Sequence, residues 1–111
     1  VAVKRPRVGQ LRHRVIVRRN RKISDGRGGY NTLPEDVIAS YPVRIEELSG
    51  RELAEFQTRS TKITTLIQGR FHPDITEACW IEHGEKTYEI EQAIDWEERH
   101  VWLDILAVQR R

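Results

Sequence analysis

One cysteine, Cys79, is the only thiol in this chain of 111 residues. A lone cysteine forbids an intrachain disulfide and a paired-cysteine metal site, so nothing calls for an oxidising compartment. A small core residue is its expected role. Apolar residues are also scarce, at 38% of the chain, below the roughly 45–50% of ordinary globular domains. No apolar run approaches the ~20 residues that span a bilayer, and the basic N-terminus lacks the apolar stretch of a secretion signal. A cytoplasmic site of synthesis and no membrane partner are expected. Catalytic patterns are missing as well. His13, His72, His83 and His100 show none of the short spacings that hold zinc, so no metal is expected. Ser49 has no Gly-x-Ser-x-Gly elbow around it. Gly26-Arg27-Gly28-Gly29 lacks the Lys-Ser/Thr of a phosphate loop. Asp95, Glu97 and Glu98, with Arg99 alongside, read as a solvated turn. The sequence therefore predicts neither an enzyme nor a cofactor.

Acidic residues are absent until Asp25, and what fills that space is positive charge. Lys4, Arg5, Arg7, Arg12, Arg14, Arg18, Arg19, Arg21 and Lys22 are nine of the nineteen Lys and Arg residues. The other 89 positions hold 10 bases and 17 acids, so a net charge of +2 conceals a +9 arm on a −7 body. Such asymmetry suits one polyanionic neighbour and one protein neighbour. Residues 1–29 contain no aromatic side chain on which bases could stack, which favours duplex backbone contact over single-strand binding. Arg12, Arg14, Arg18, Arg21, Lys22 and Arg27 are the candidate contacts, either with duplex DNA or with an acidic protein surface.

The chain is expected to form a single domain over 1–111, with a basic arm at 1–10. Leu11, Val15 and Val17 alternate with Arg12, Arg14 and Arg18, predicting a half-buried strand over 11–20. A long Gly-rich loop is expected over 21–34. Val37, Ala39, Tyr41, Val43 and Ile45 form the apolar face of a second strand over 36–46, and Pro42 requires an edge or a bulge there. Further strands are predicted at 61–71, 75–83, 86–96 and 100–108. In the third of these, Tyr88, Ile90, Ile94 and Trp96 should face inward. Turns are predicted at His72-Pro73-Asp74 and His83-Gly84-Glu85. Trp80, Trp96 and Trp102 are expected mainly in the core. One segment breaks the alternation. Ser49 as N-cap and Glu52 three residues on make a capping box, and Leu48 with Leu53 can form the hydrophobic staple. The short helix they start, over 49–57, should plug one barrel end with Leu53 and Phe56. The fold class is thus all-β: a small antiparallel barrel of about six strands, a helix between strands 2 and 3, and a long loop between strands 1 and 2.

That element order carries a resemblance. Gly9-Gln10-Leu11-Arg12-His13-Arg14-Val15, Asp25-Gly26-Arg27-Gly28-Gly29, Ile45-Glu46-Glu47-Leu48-Ser49-Gly50-Arg51-Glu52, Gly69-Arg70-Phe71-His72-Pro73-Asp74-Ile75 and Tyr88-Glu89-Ile90 follow one another as they do in the head–tail joining proteins of long-tailed phages. The chain resembles these head-closure or stopper proteins over about residues 9–108. Tyr41-Pro42 stands where relatives often carry Trp. The resemblance implies a virion protein of the head–tail neck, assembled in the host cytoplasm for a phage, a prophage or a gene transfer agent. It implies a homo-oligomeric ring, a hexamer before a dodecamer, between the portal adaptor and the tail proteins, closing a head filled with double-stranded DNA that it contacts non-specifically. In relatives the long loop reaches toward the channel or a neighbouring subunit. The competing expectation is a monomeric basic β-barrel that binds nucleic acid.

Overall fold

The computed structural model describes residues 8–58, 62–95 and 98–110, the side chains of Val8, Glu52 and Phe56 excepted. The basic residues Lys4, Arg5 and Arg7 lie outside that range, as does Trp96. A short 3-10 turn, Val8–Gln10, precedes β1 (His13–Ser24), β2 (Tyr30–Glu47), α1 (Gly50–Gln57), β3 (Thr65–Arg70), β4 (Trp80–His83), β5 (Lys86–Ile94) and β6 (Trp102–Arg110). The strands pair antiparallel in the spatial order β1-β2-β3-β6-β5-β4, and β4 returns to β1 to close a barrel. The expected class is therefore observed: all-β, six strands, one short helix between the second and third.

Alternation explains the interior. Val15 and Val17 of β1, Tyr41 and Val43 of β2, Ile67 of β3, Ile81 of β4, Tyr88 and Ile90 of β5, and Leu103, Ile105 and Ala107 of β6 fill the barrel. Gly69 belongs to the same packing. A Cβ there would meet the Tyr41 hydroxyl and ring at 2.4–3.0 Å, and that hydroxyl donates to the Arg70 carbonyl. Tyr41 thus occupies the space that a side chain at Gly69 would need. Cys79 is buried in this core, as expected.

The outer wall has a second apolar cluster. Leu66 of β3 and Leu106 of β6 point away from the lumen and pack with Leu48 and Ile63, against which Leu53 and Ile94 rest. The helix therefore covers the outside of the barrel and does not plug its end. Only one face of β3 could line the lumen, so an outer apolar pair needs a lid, and α1 supplies it. On the same outer side Arg44, Gln68 and Asp104 form a row across three strands. Gln68 donates to Asp104 at 3.0 Å and accepts from Arg44 at 3.0 Å, so two buried polar side chains are satisfied.

Bulges account for the broken alternation. The β1–β2 register slips between Val15 and Val17 and again between Val17 and Arg18, with the additional residues on β2. Val37 and Ile38 both pack on the core in consequence, while Ala39, expected inside, is exposed. Pro42 follows these bulges, pairs with Arg14 of β1 and lies one residue beyond the last β2–β3 pair, Val43↔Gly69, so a bulge and a locally unpaired side accompany it. A bulge between Ile90 and Gln92 likewise turns Ile94 outward and Ala93 inward. The fourth strand is shorter than predicted, because residues 75–79 form turns and only Trp80–His83 pairs. Gly84, at φ 60°, makes the tight turn into β5.

The largest correction concerns the expected loop over 21–34. Arg19 to Ser24 pair with Glu35 to Tyr30 without interruption, so the segment is a two-stranded ribbon whose turn spans only residues 25–29. Its six pairs run for about 20 Å at ~3.3 Å per residue, which fits a molecule measuring 51 × 30 × 29 Å. Among the described residues no third strand flanks it: β4 pairs with β1 only as far as Arg18.

Candidate functional site

The ribbon tip is built from its acid and its glycines. Asp25 Oδ1 accepts from the backbone N–H of Arg27 at 2.7 Å and of Gly29 at 3.1 Å, and Ser24 Oγ accepts from Gly26. Gly26 and Gly28, at φ 77° and 86°, hold conformations that side chains disfavour. The one tip carboxylate is thus engaged by the turn, and the exposed Arg27 side chain has no acid paired to it among the described residues.

The six basic candidates separate into two groups. Arg18 is held at the barrel mouth, with Nε 3.0 Å from Asp36 Oδ1 and a terminal nitrogen 3.2 Å from Glu82 Oε2. Its Nε makes a charge contact with Asp36 and no aligned hydrogen bond. Trp80 Nε1 donates to the same Glu82 oxygen at 2.9 Å. The indole N–H first, and Arg18 second, hold the Glu82 carboxyl below its ordinary pKa. Next along the strand, Arg19 pairs with Glu35 at 2.8 Å. Arg12, Arg14, Arg21, Lys22 and Arg27 are exposed and form no ion pair among the described residues. Arg12 reaches the Gly9 carbonyl and Arg14 the Ser40 hydroxyl, both neutral acceptors. The structure therefore does not gather the six cations into one patch: Arg12 and Arg14 lie near the start of β1, Arg18 is neutralised, and Arg21, Lys22 and Arg27 occupy the far half of the ribbon.

The helix start is consistent with Ser49 as cap in one respect. The Ser49 carbonyl accepts the first helical bond, from Leu53 N–H at 3.4 Å. Leu48 and Leu53 share one apolar cluster, as a staple requires. The Glu52 side chain lies outside the described residues. Gly50 adds a feature the sequence reading missed: at φ 58° it takes the left-handed conformation on which the Leu-Ser-Gly-Arg-Glu element turns into the helix.

The described residues line outer grooves at two places. One, of about 390 Å³, is lined by Asn20, Glu77, Ala78, Trp80, Ile90 and Glu91, among others. A second, of about 310 Å³, lies along Gln10, Arg12, His13, Arg44 and Ile45. Trp80 and Trp102 are half-buried on the outer wall instead of filling the core; Trp102 lies under the Arg70 guanidinium, 5.8 Å from its ring centroid. His13 and His83 meet edge to face at 5.1 Å, and His100 pairs with Asp95 at 2.6 Å. No group of three metal-ligating side chains occurs among the described residues. Burial raises the Tyr41 hydroxyl pKa, and that of Tyr88 likewise.

Residues 6–110 match the family model described as "Phage head completion protein". A solved chain from the "Virion of native gene transfer agent (GTA) particle" superposes with a TM-score of 0.58 at 14% identity, over 93% of this chain and 94% of that one. At that identity the likeness is one of fold. No curated protein sequence matches the chain.

Proposed function

The chain belongs to the phage head completion protein family, a structural component of the virion, and from that membership we propose that it acts as a ring in the head–tail neck. The ring, a hexamer in preference to a dodecamer, closes the DNA-filled head below the portal and its adaptor and offers the tail a docking surface. The observation that carries this reading beyond the family is the exposed cation pair at the start of β1. Arg12 and Arg14 form no ion pair among the described residues, and they lie just before and on the outer side of a strand whose inner side is packed. Such charges neutralise phosphates without reading sequence, which suits retention of DNA that must also pass. Arg18 contributes less, because Asp36 and Glu82 already satisfy it.

The test replaces Arg12 and Arg14 together by Gln, with Arg18→Gln made separately. The double variant should fold normally, since Val15 and Val17 stay buried. Particles carrying it should attach tails yet lose DNA more readily, and increasingly so as salt rises. Full heads that fail to acquire tails would instead assign these arginines to docking. Particles indistinguishable from wild type would remove them from both roles.

A further inference from the structure

The distal ribbon combines two kinds of surface that the rest of the molecule keeps apart. Near the barrel every ribbon cation has an acid: Arg18 has Asp36 and Glu82, and Arg19 has Glu35. Beyond that point Arg21, Lys22 and Arg27 have none. Of the five exposed large apolar side chains among the described residues, three also lie there, Ile23 at 38%, Leu33 at 55% and Tyr30 at 69% exposure. Residues directly opposite in a ladder share a face. One face therefore presents Arg21 beside Leu33, then Ile23 beside Asn31. Phosphates would use the cation but not the aliphatic pair, whereas a protein surface of matching character would use both.

Such a surface exists on the same chain. β4 begins at Trp80, where its pairings with Arg18 of β1 and Glu89 of β5 both end. In the interval beyond, between the base of the ribbon at Asn20 and the bulge of β5, runs the groove of about 390 Å³. Its accessible apolar part is Ala78 and Trp80, its Glu89 is paired with Arg110 at 2.7 Å, and its other acids Glu77 and Glu91 take part in no ion pair among the described residues. Only the ribbon's base, at Asn20, lines the groove of its own copy; Arg21, Ile23 and Leu33 lie further along the continuous pairing that ends at Ser24↔Tyr30 and do not line it.

We propose that the Arg21–Ile23–Leu33 face of one copy's ribbon docks in the Glu77–Trp80–Glu91 groove of the next copy. The two surfaces differ, so the contact is heterologous: each copy gives a ribbon and receives one, and repetition generates a ring if the rotation closes. This inference rests on the ring reading above and specifies its subunit contact.

Charge exchange tests it with the full chain. Arg21→Glu should weaken self-association by about tenfold or more in sedimentation velocity, and Glu77→Lys with Glu91→Lys should do the same, since like charges then meet. An equal mixture of the two variants should recover association, because each acidic surface again finds a basic one. Lys22→Glu, on the opposite ribbon face, should have a smaller effect. A wild-type chain that stays monomeric at every concentration reached, or a mixture no stronger than either variant alone, would overturn the proposal. So would loss of duplex-DNA binding by Arg21→Glu with self-association unchanged. Presence of the wild-type chain in purified particles is scored separately, so failure of the contact and failure of the virion role remain distinguishable.

Discussion

β1 and β2 each pass through two environments. From His13 to Arg18, and from about Val37 to Glu47, they are barrel wall, with one side packed against the core. From Arg19 to Ser24 and from Tyr30 to Glu35 the same two strands, among the described residues, pair only with each other. The first region is held by buried apolar area that reports from every strand. The second is held by ladder hydrogen bonds and cross-strand pairs of roughly 0.2–1 kcal/mol each, and a free two-stranded hairpin is marginal in water. What keeps the ribbon formed is its anchorage: the barrel fixes both strands in register before they leave it. Order and burial are therefore separate properties here, and a segment can be regular without contributing a core.

The sharpest way to break that comparison is to truncate one apolar side chain in each region. Ile67, fully buried, should cost about 2–5 kcal/mol as Ile67→Ala, and Gly69→Ala, which forces a Cβ into the Tyr41 ring, about 1–3 kcal/mol. Leu33→Ala on the ribbon should stay within about 0.5 kcal/mol. Urea denaturation decides the matter; a Leu33 variant as damaged as the Ile67 one would mean the ribbon packs against something in the isolated protein.

An intermediate effect is expected between the two regions, where α1 is started on the outer wall. Ser49→Ala should cost about 1 kcal/mol if Ser49 caps the helix, and Gly50→Ala about 1–2 kcal/mol because of its left-handed backbone. Denaturation midpoints equal to wild type for Ser49→Ala would remove the cap while leaving the glycine requirement standing.

The smallest effect on stability should come from the ribbon tip. Asp25→Ala removes the acceptor for two tip N–H groups at a fully exposed turn. Global stability should barely change, yet trypsin should cleave after Arg27 faster than in wild type while sites in the barrel strands stay protected. Cleavage first at Arg70 would reverse this assignment of the less stable region.

The contrast also explains what could be read from the sequence. Period-two alternation marks a strand only where one face is buried. It was legible at Val15–Val17 and Tyr88–Ile90, and the barrel followed from it. Residues 21–24 and 30–34 bury neither face, so Arg21-Lys22-Ile23 and Asn31-Thr32-Leu33 carry no such pattern, and the glycines between them suggested a loop. Bulges hid the inward set of β2 at Ala39 and of β5 at Ile94. The helix was legible from Ser49 and Glu52 but its seat was not, because sequence gives Leu53 an apolar face without saying whether lumen or outer wall receives it. Among the candidate cations, the separation of Arg18 from its neighbours depends on Asp36 and Glu82, which are brought to it only by pairing with strands elsewhere in the chain.

The join between β1 and β4 has a consequence in time. It is the shortest of the barrel's pairings, Ile16↔Glu82 to Arg18↔Trp80, and its Arg18–Glu82 ion pair links residues 64 apart in sequence. Hairpins such as β4–β5 close small loops early, whereas this contact must wait until the intervening strands have been laid down. The barrel should therefore shut there last on folding and part there first on unfolding. An Arg18→Gln chain would then refold at nearly the wild-type rate and unfold faster, a signature that stopped-flow chevrons resolve.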